Sequence, residues 1–321
     1  MARGGSLSAE SALEEAKRLE RERSFELAIE KYRHVIFSME TDEAEDEKVS
    51  IAQEDMRMKE IAIQNLSAMY RMESNAEAIK LLLDELKPMF KRMPKAKTAK
   101  IVRNLIDVLS TIDGHDSMQV ELCKEQIQWA KEEKRTFLRH RVELRLAALF
   151  LKARKYTDSL KMISALSREV KKLDDKLLLV DIHLLESKIH YALNDIAKGK
   201  ASLTAARTNA GSIYVPPSAQ CGIDLQSGIL HAEEKDYKTA YSYFFEAFEQ
   251  LNNLDDAQYK KETVIALKYM LMCKVMSGNA SDVKTLVASK SGLKHAGEES
   301  LDAMKAVAEA YISRSLKDLE R

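Results

Sequence analysis

The pattern that most limits how this chain can fold is a six-position motif recurring about every 40 residues. In GILHAEEKDYKTAYSYFFEAFEQL, residues 228–251, it consists of Gly228, His231, Tyr237, Ala240, Phe244 and Ala247, at relative positions 0, 3, 9, 12, 16 and 19. The same template falls on Ala147, Phe150, Tyr156, Ser159, Ile163 and Leu166, and on Ser187, His190, Ile196, Gly199, Leu203 and Ala206. Near the start it falls on Ala16, Leu19, Phe25, Ala28, Tyr32 and Val35. Positions three or four apart share one face of a helix, so the motif describes two helices joined by a tight turn. Small residues stand where two helix backbones approach closely, and large ones where a side chain must fill the groove between hairpins. One such hairpin cannot bury its apolar face alone; stacked copies can. The expectation is an all-α fold, a right-handed superhelical solenoid of tetratricopeptide-like (TPR-like) hairpins.

Weaker copies keep the period. Ser67, Tyr70, Ala78 and Leu82 fit if the turn is one residue shorter, and Ile106, Leu109, Met118 and Leu122 form a degenerate copy between that one and Ala147. Breakers are scarce, with 4 prolines and 10 glycines in 321 residues, and 32% of the chain is charged, so periodicity divides it into about 15 helices and no strands. Ser8 can cap the first helix, and the acidic run from Asp42 to Glu47 reads as a solvated helix start, where negative charge suits the helix dipole. The strongest internal break is NAGSIYVPP at 209–217, where Gly211 suits a helix end and the adjacent prolines suit a helix start. It divides the chain into 1–215 and 216–321.

Lys+Arg and Asp+Glu both total 51, so the whole-molecule field gives no general pull towards nucleic acid or membrane. Cys123, Cys221 and Cys273 are far apart and odd in number, which fits reduced thiols in a cytoplasmic or nuclear protein better than a disulfide framework. MARGGSLSAESALEEAKR lacks the apolar centre of a secretory signal, and no apolar run reaches the roughly 18–20 residues that span a bilayer.

Signatures of catalysis are poor. Gly199-Lys200 is the single Gly-Lys pair, but Asn194 and Ala201 stand where a phosphate loop needs glycine and Ser/Thr. His183, Glu186 and His190 share a helix face, yet His190 occupies the large-residue slot filled elsewhere by Phe150 and His231, so a packing role accounts for it. No cofactor, metal or small-molecule substrate is expected.

Charge concentrates in one place. Lys87, Lys91, Arg92, Lys95, Lys97, Lys100 and Arg103 are seven cations with no acid from Leu86 to Asn104, and Pro94 sits among them at a helix junction. Such a run is either a solvated surface or a docking site for an acidic protein. Phe90 is the one aromatic nearby, so base-stacking platforms are missing and nucleic acid is not expected. A second basic group, Lys134, Arg135, Arg139, Arg141 and Arg145, is interspersed with Glu132, Glu133 and Glu143 and reads as ion pairing within the stack.

Several long strings resemble the non-ATPase regulatory subunit 11 family of the 26S proteasome lid: QWAKEEKRTFLR at 128–139, KKLDDK at 171–176, LLESK at 184–188, YVPP at 214–217, EEKDYKTAYSYFFEAFE at 233–249, ALKYMLMCKVM at 266–276 and SRSLKDLE at 313–320. The resemblance implies a TPR-like solenoid over 1–215 and the helical half of a PCI domain over 216–321, truncated before the winged helix and terminal helix that follow in that family. It also implies a non-catalytic scaffold of the regulatory particle, found in cytoplasm and nucleus and acting in ubiquitin-dependent protein degradation. Its partners would be other lid subunits, the ATPase ring and the α-ring of the proteolytic core. Two alternatives remain at this point: a free-standing adaptor holding a peptide in a groove, or a subunit of the COP9 signalosome, whose second subunit shares the architecture.

Overall fold

The computed structural model describes residues 9–37, 48–90, 93–112, 114–254, 259–295, 297–315 and 317. The Ser8 cap and the acidic run from Asp42 to Glu47 lie outside them. Sixteen helices and no strand are found among the described residues. They run as consecutive pairs: α1 (Ala9–Arg21) with α2 (Phe25–Phe37), α3 (Lys48–Met72) with α4 (Ala76–Phe90), and α5 (Lys95–Ser110) with α6 (Asp116–Glu132). Next come α7 (Thr136–Lys152) with α8 (Tyr156–Leu173), α9 (Lys176–Ala192) with α10 (Ile196–Gly211), and α11 (Pro217–Glu233) with α12 (Tyr237–Leu254). The chain then continues through α13 (Lys260–Met276), two short helices α14 (Asp282–Val287) and α15 (Lys290–Leu293), and α16 (Glu299–Ser313).

One turn geometry makes these hairpins. At Arg23, Ser74, Arg154, Asn194 and Lys235 the backbone is left-handed, with φ between 54° and 65°, and each stands seven residues after Ala16, Ser67, Ala147, Ser187 or Gly228. In the last of these turns the Asp236 amide donates to the His231 carbonyl (3.0 Å) and the Lys235 amide to Ala232 (2.9 Å). The same pair of bonds recurs at the other four, so each first helix closes in a Schellman turn that satisfies its last carbonyls. The residue after the left-handed one then caps the second helix: Asn75, Asp195 and Asp236 each accept an amide three residues on through a carboxylate or amide oxygen.

The turns correct two registers expected from the sequence. Ser74 occupies the same place after Ser67 as in every other copy, so this turn is not one residue shorter. The slots fall on Ala76, Ile79, Leu83 and Leu86, all buried, while Ala78 is partly exposed. In α5–α6 the left-handed residue is Gly114, eight positions after Ile106, and the buried slots move one residue on to Gln119, Cys123 and Gln126. The groove-filling position then reads Leu83, Cys123, Ile163, Leu203 and Phe244, at intervals of 40, 40, 40 and 41 residues, every one of them buried.

The helices divide into two compact units, 1–149 and 150–321, with the division inside α7. The boundary expected at 215 falls within the second unit, between α10 and α11, where Pro216 caps α11 and Pro217 is its first residue. In the first unit α1 to α6 pack on neighbours one or two places along the chain, and the core is built from Ala28, Tyr32, Leu66, Ile79, Leu83 and Leu105. In the second, Val180, Leu203, Ile223 and Leu230 make one apolar cluster and Phe244, Phe248, Leu267, Met270 and Leu271 another. Gly228 sits so close to the Phe244 ring that an added Cβ would lie 2.6 Å from its Cε1. The expected pairing of a small residue with a groove filler is thus a direct contact. No helix among the described residues is long and apolar enough to cross a membrane.

Candidate partner-binding site

The basic stretch lies around the α4–α5 junction of the first unit, and the way α4 ends there explains its shape. Arg135, buried in the turn before α7, donates from Nη2 to the carbonyl of Phe90, the last residue of α4 (2.7 Å). Its guanidinium also lies 5.0 Å over the Trp129 ring, and Trp129 meets Phe90 at 5.8 Å. A cation thus answers the negative end of the α4 dipole, while two aromatic rings shield it from water. Arg135 is therefore not one of the ion-paired residues its neighbourhood in sequence suggests. Within that second basic group Arg139 does approach Glu143 (3.9 Å), and Arg145 faces Asp107, whose carboxyl burial pushes up while Arg145 and Arg103 hold it down.

Beyond that capped end, Pro94 opens α5 with no side-chain cap, and no acid occupies the first turn of the helix. Its buried face is Thr98, Ile101, Val102, Leu105, Ile106 and Leu109, which leaves the lysines outward. The cations differ in how far they are committed. Lys87 is held by Asp84 (2.6 Å), and Lys100 by Glu60 of α3 (2.6 Å). Lys95, exposed, and Lys97, half-buried, have no ion pair among the described residues, while Arg103, also exposed, answers the Asp107 carboxyl. Lys91 and Arg92 lie outside the described residues. An uncapped helix start whose free amides sit beside unpaired lysines is a surface of one sign, suited to carboxylates.

The other constellations resolve into packing. His183 shares a hydrogen bond with Glu186 (His183 Nδ1 to Glu186 Oε2, 3.0 Å), and that bond holds the Glu186 carboxyl below its ordinary value. Among the described residues no three His, Cys, Asp or Glu side chains converge as a metal site. All three cysteines are buried, and burial pushes each thiol up to about 11, away from the thiolate that reactivity requires. Arg135 is the residue sequence reasoning missed. The signal was its place directly after left-handed Lys134, in a turn with the same pair of backbone bonds as the hairpin turns.

Comparison with known proteins agrees with this architecture. The family model for the 26S proteasome regulatory subunit RPN6 N-terminal domain matches residues 9–153. The 26S proteasome non-ATPase regulatory subunit 11 homolog of Arabidopsis thaliana is 55% identical over 274 residues, covering 85% of this chain and 64% of that protein. The probable 26S proteasome regulatory subunit rpn6 of Schizosaccharomyces pombe is 42% identical over 315 residues, 98% of this chain and 72% of that protein. The Saccharomyces cerevisiae subunit RPN6 is 40% identical over 308 residues, 96% and 71%. Across such relatives the chain spans 60–72% of their length. Among solved structures, the apo quorum sensor NprR from B. thuringiensis aligns with a TM-score of 0.53 at 10% identity, over 96% of this chain and 82% of that one. NprR in complex with its cognate peptide NprX gives 0.51 at 11%, over 97% and 86%. At that identity the likeness is one of fold alone.

Proposed function

We propose, from the premise that this chain belongs to the RPN6 family of 26S proteasome regulatory subunits, that it is a non-catalytic scaffold of the regulatory particle. The observation that carries the reading is 42% identity to a probable proteasome regulatory subunit in an alignment that covers 98% of the chain and so runs through both units. In this reading residues 1–215 form an arm that braces the ATPase ring and the α-ring of the proteolytic core, and 216–321 form the helical half of a PCI domain that docks on other lid subunits. The protein works in cytoplasm and nucleus, in ubiquitin-dependent protein degradation. A stack of hairpins suits such bracing, because within each unit a hairpin bears on its neighbours and passes load to them.

The α4–α5 surface is the contact we assign to an acidic partner, through Lys95, Lys97 and Arg103, with Lys87, Lys91, Arg92 and Lys100 around them. Charge there sets partner orientation and association rate more than raw affinity. The test is affinity purification of the tagged chain from cells, with and without Lys95→Glu, Lys97→Glu and Lys100→Glu together. The reading expects core α-ring and ATPase subunits with the parent chain and their loss, at unchanged helicity, with the variant. Recovery of the chain alone, or with COP9 signalosome subunits, would overturn the scaffold reading. Equal recovery of proteasome subunits by both chains would return the patch to solvent.

A further inference from the structure

Helix α13 buries Thr263, Val264, Ala266, Leu267, Met270, Leu271, Cys273 and Val275. What it leaves outside is unusual. Between residues 265 and 276 every exposed position is apolar: Ile265, Tyr269, Met272 and Met276, each with 39–52% of its surface open. The spacing of four, three and four residues places them in a single seam along the helix, roughly 16 Å long at 1.5 Å per residue. Tyr269 is held upright in it by stacking on Phe244 (5.0 Å). That repeat is the one by which a helix receives another helix, knob into hole, and methionine adapts such a seam to its partner.

The charges beside the seam state what kind of helix fits. Lys261 and Lys268, seven residues apart, flank one edge, and neither has an ion-pair partner among the described residues. Lysines elsewhere on α13 are engaged: Lys260 holds Glu298 (2.9 Å), and Lys274 holds Asp282 (3.0 Å). On the opposite edge Glu262 already faces Lys188 of α9. One edge is thus electrostatically answered and, among the described residues, the other is not.

We propose that the α13 seam is a docking site for a partner's amphipathic helix, one that carries an apolar stripe with acidic residues along the edge facing Lys261 and Lys268. The site is independent of the α4–α5 surface and stands or falls apart from it. Two fluorescently labelled synthetic helices test it on the full chain, long enough to fold on contact (about 18 residues). Both have leucines at the seam spacing; one has glutamates along the flank and the other lysines at the same places. Anisotropy titration should give the glutamate helix at least a roughly tenfold tighter Kd. Lys261→Glu with Lys268→Glu should reverse the preference, and Met272→Lys should weaken both helices. If Met272→Lys fails to fold by circular dichroism, Met276→Gln takes its place, since its side chain is the most open of the four. Binding by neither helix, or equal binding by both, overturns the proposal. So does sedimentation showing that the chain self-associates and that Met272→Lys makes it monomeric, which would assign the seam to a second copy.

Discussion

Gly228 has no room for a methyl group, because the Phe244 ring occupies the place its Cβ would take. Gly199 holds the slot before the groove filler one hairpin earlier, yet a Cβ there would meet its nearest neighbour, the Ser187 carbonyl oxygen, at an ordinary 3.5 Å. Two helical glycines therefore call for opposite outcomes. Gly228→Ala should cost about 1–3 kcal/mol by overpacking, whereas Gly199→Ala should gain up to about 1 kcal/mol from helix propensity; urea unfolding of each variant separates them. Asp224 is a second single-residue lever. It is buried on α11, accepts a hydrogen bond from Gln220 Nε2 (3.0 Å), and burial pushes its carboxyl up to about 6. An acid raised above its unfolded value binds its proton more tightly in the folded chain. Its ionisation therefore destabilises the fold, fully above about pH 6 and not at all below about pH 4. Asp224→Asn keeps the hydrogen bond and removes the charge. It should raise stability near pH 7 by roughly 1–3 kcal/mol and flatten the stability difference between about pH 7 and about pH 5.

At the scale of elements, the helices and most hairpins were legible in the sequence, and the reason is local. Spacing of three and four residues, interrupted once per motif, is a property of each hairpin by itself. The register of two copies was not legible. Leu82 and Leu83 are both fully buried, as are Leu122 and Cys123, so apolar pattern could not choose between adjacent positions. The turn chose, through the left-handed residue at Ser74 and at Gly114. Those turns carry a testable cost. Arg154 is exposed and left-handed, a conformation glycine adopts freely, while Asn194 already tolerates it. Arg154→Gly should raise the unfolding midpoint, by an amount equivalent to up to about 1 kcal/mol, and Asn194→Gly should barely move it. The end of α4 depends on a different device. Arg135→Met keeps apolar bulk over Trp129 but leaves the Phe90 carbonyl without its donor. It should cost roughly 1–3 kcal/mol and shift the emission of Trp129, the single tryptophan of the chain.

In the molecule as a whole, the helices bear on near neighbours along the chain, mostly one or two places away and three where α13 meets α16, so disturbances should stay near their origin. Hydrogen exchange checks this: Gly228→Ala should lower protection in α11 and α12 and, less, in α10 and α13, leaving α1 to α6 as they were. Uniform loss of protection over all helices would contradict a neighbour-by-neighbour array. The α4–α5 cations were legible as a run of seven, because like charges without acids stand out in any reading of composition. Which of them are free was not, since Lys100 is claimed by Glu60, forty residues away in sequence, and Lys87 by Asp84. The α13 seam was visible only as a very apolar helix; its open side appeared once the neighbouring helices had covered the rest. By itself, then, the sequence determined helix content, the forty-residue hairpin period and the balance of charge, all carried by residues close together along the chain. Tertiary structure alone decided the register of two hairpins, the role of Arg135 and which charged or apolar side chains stay open. Those depend on turns and on partners brought together from distant segments, and no local spacing encodes them.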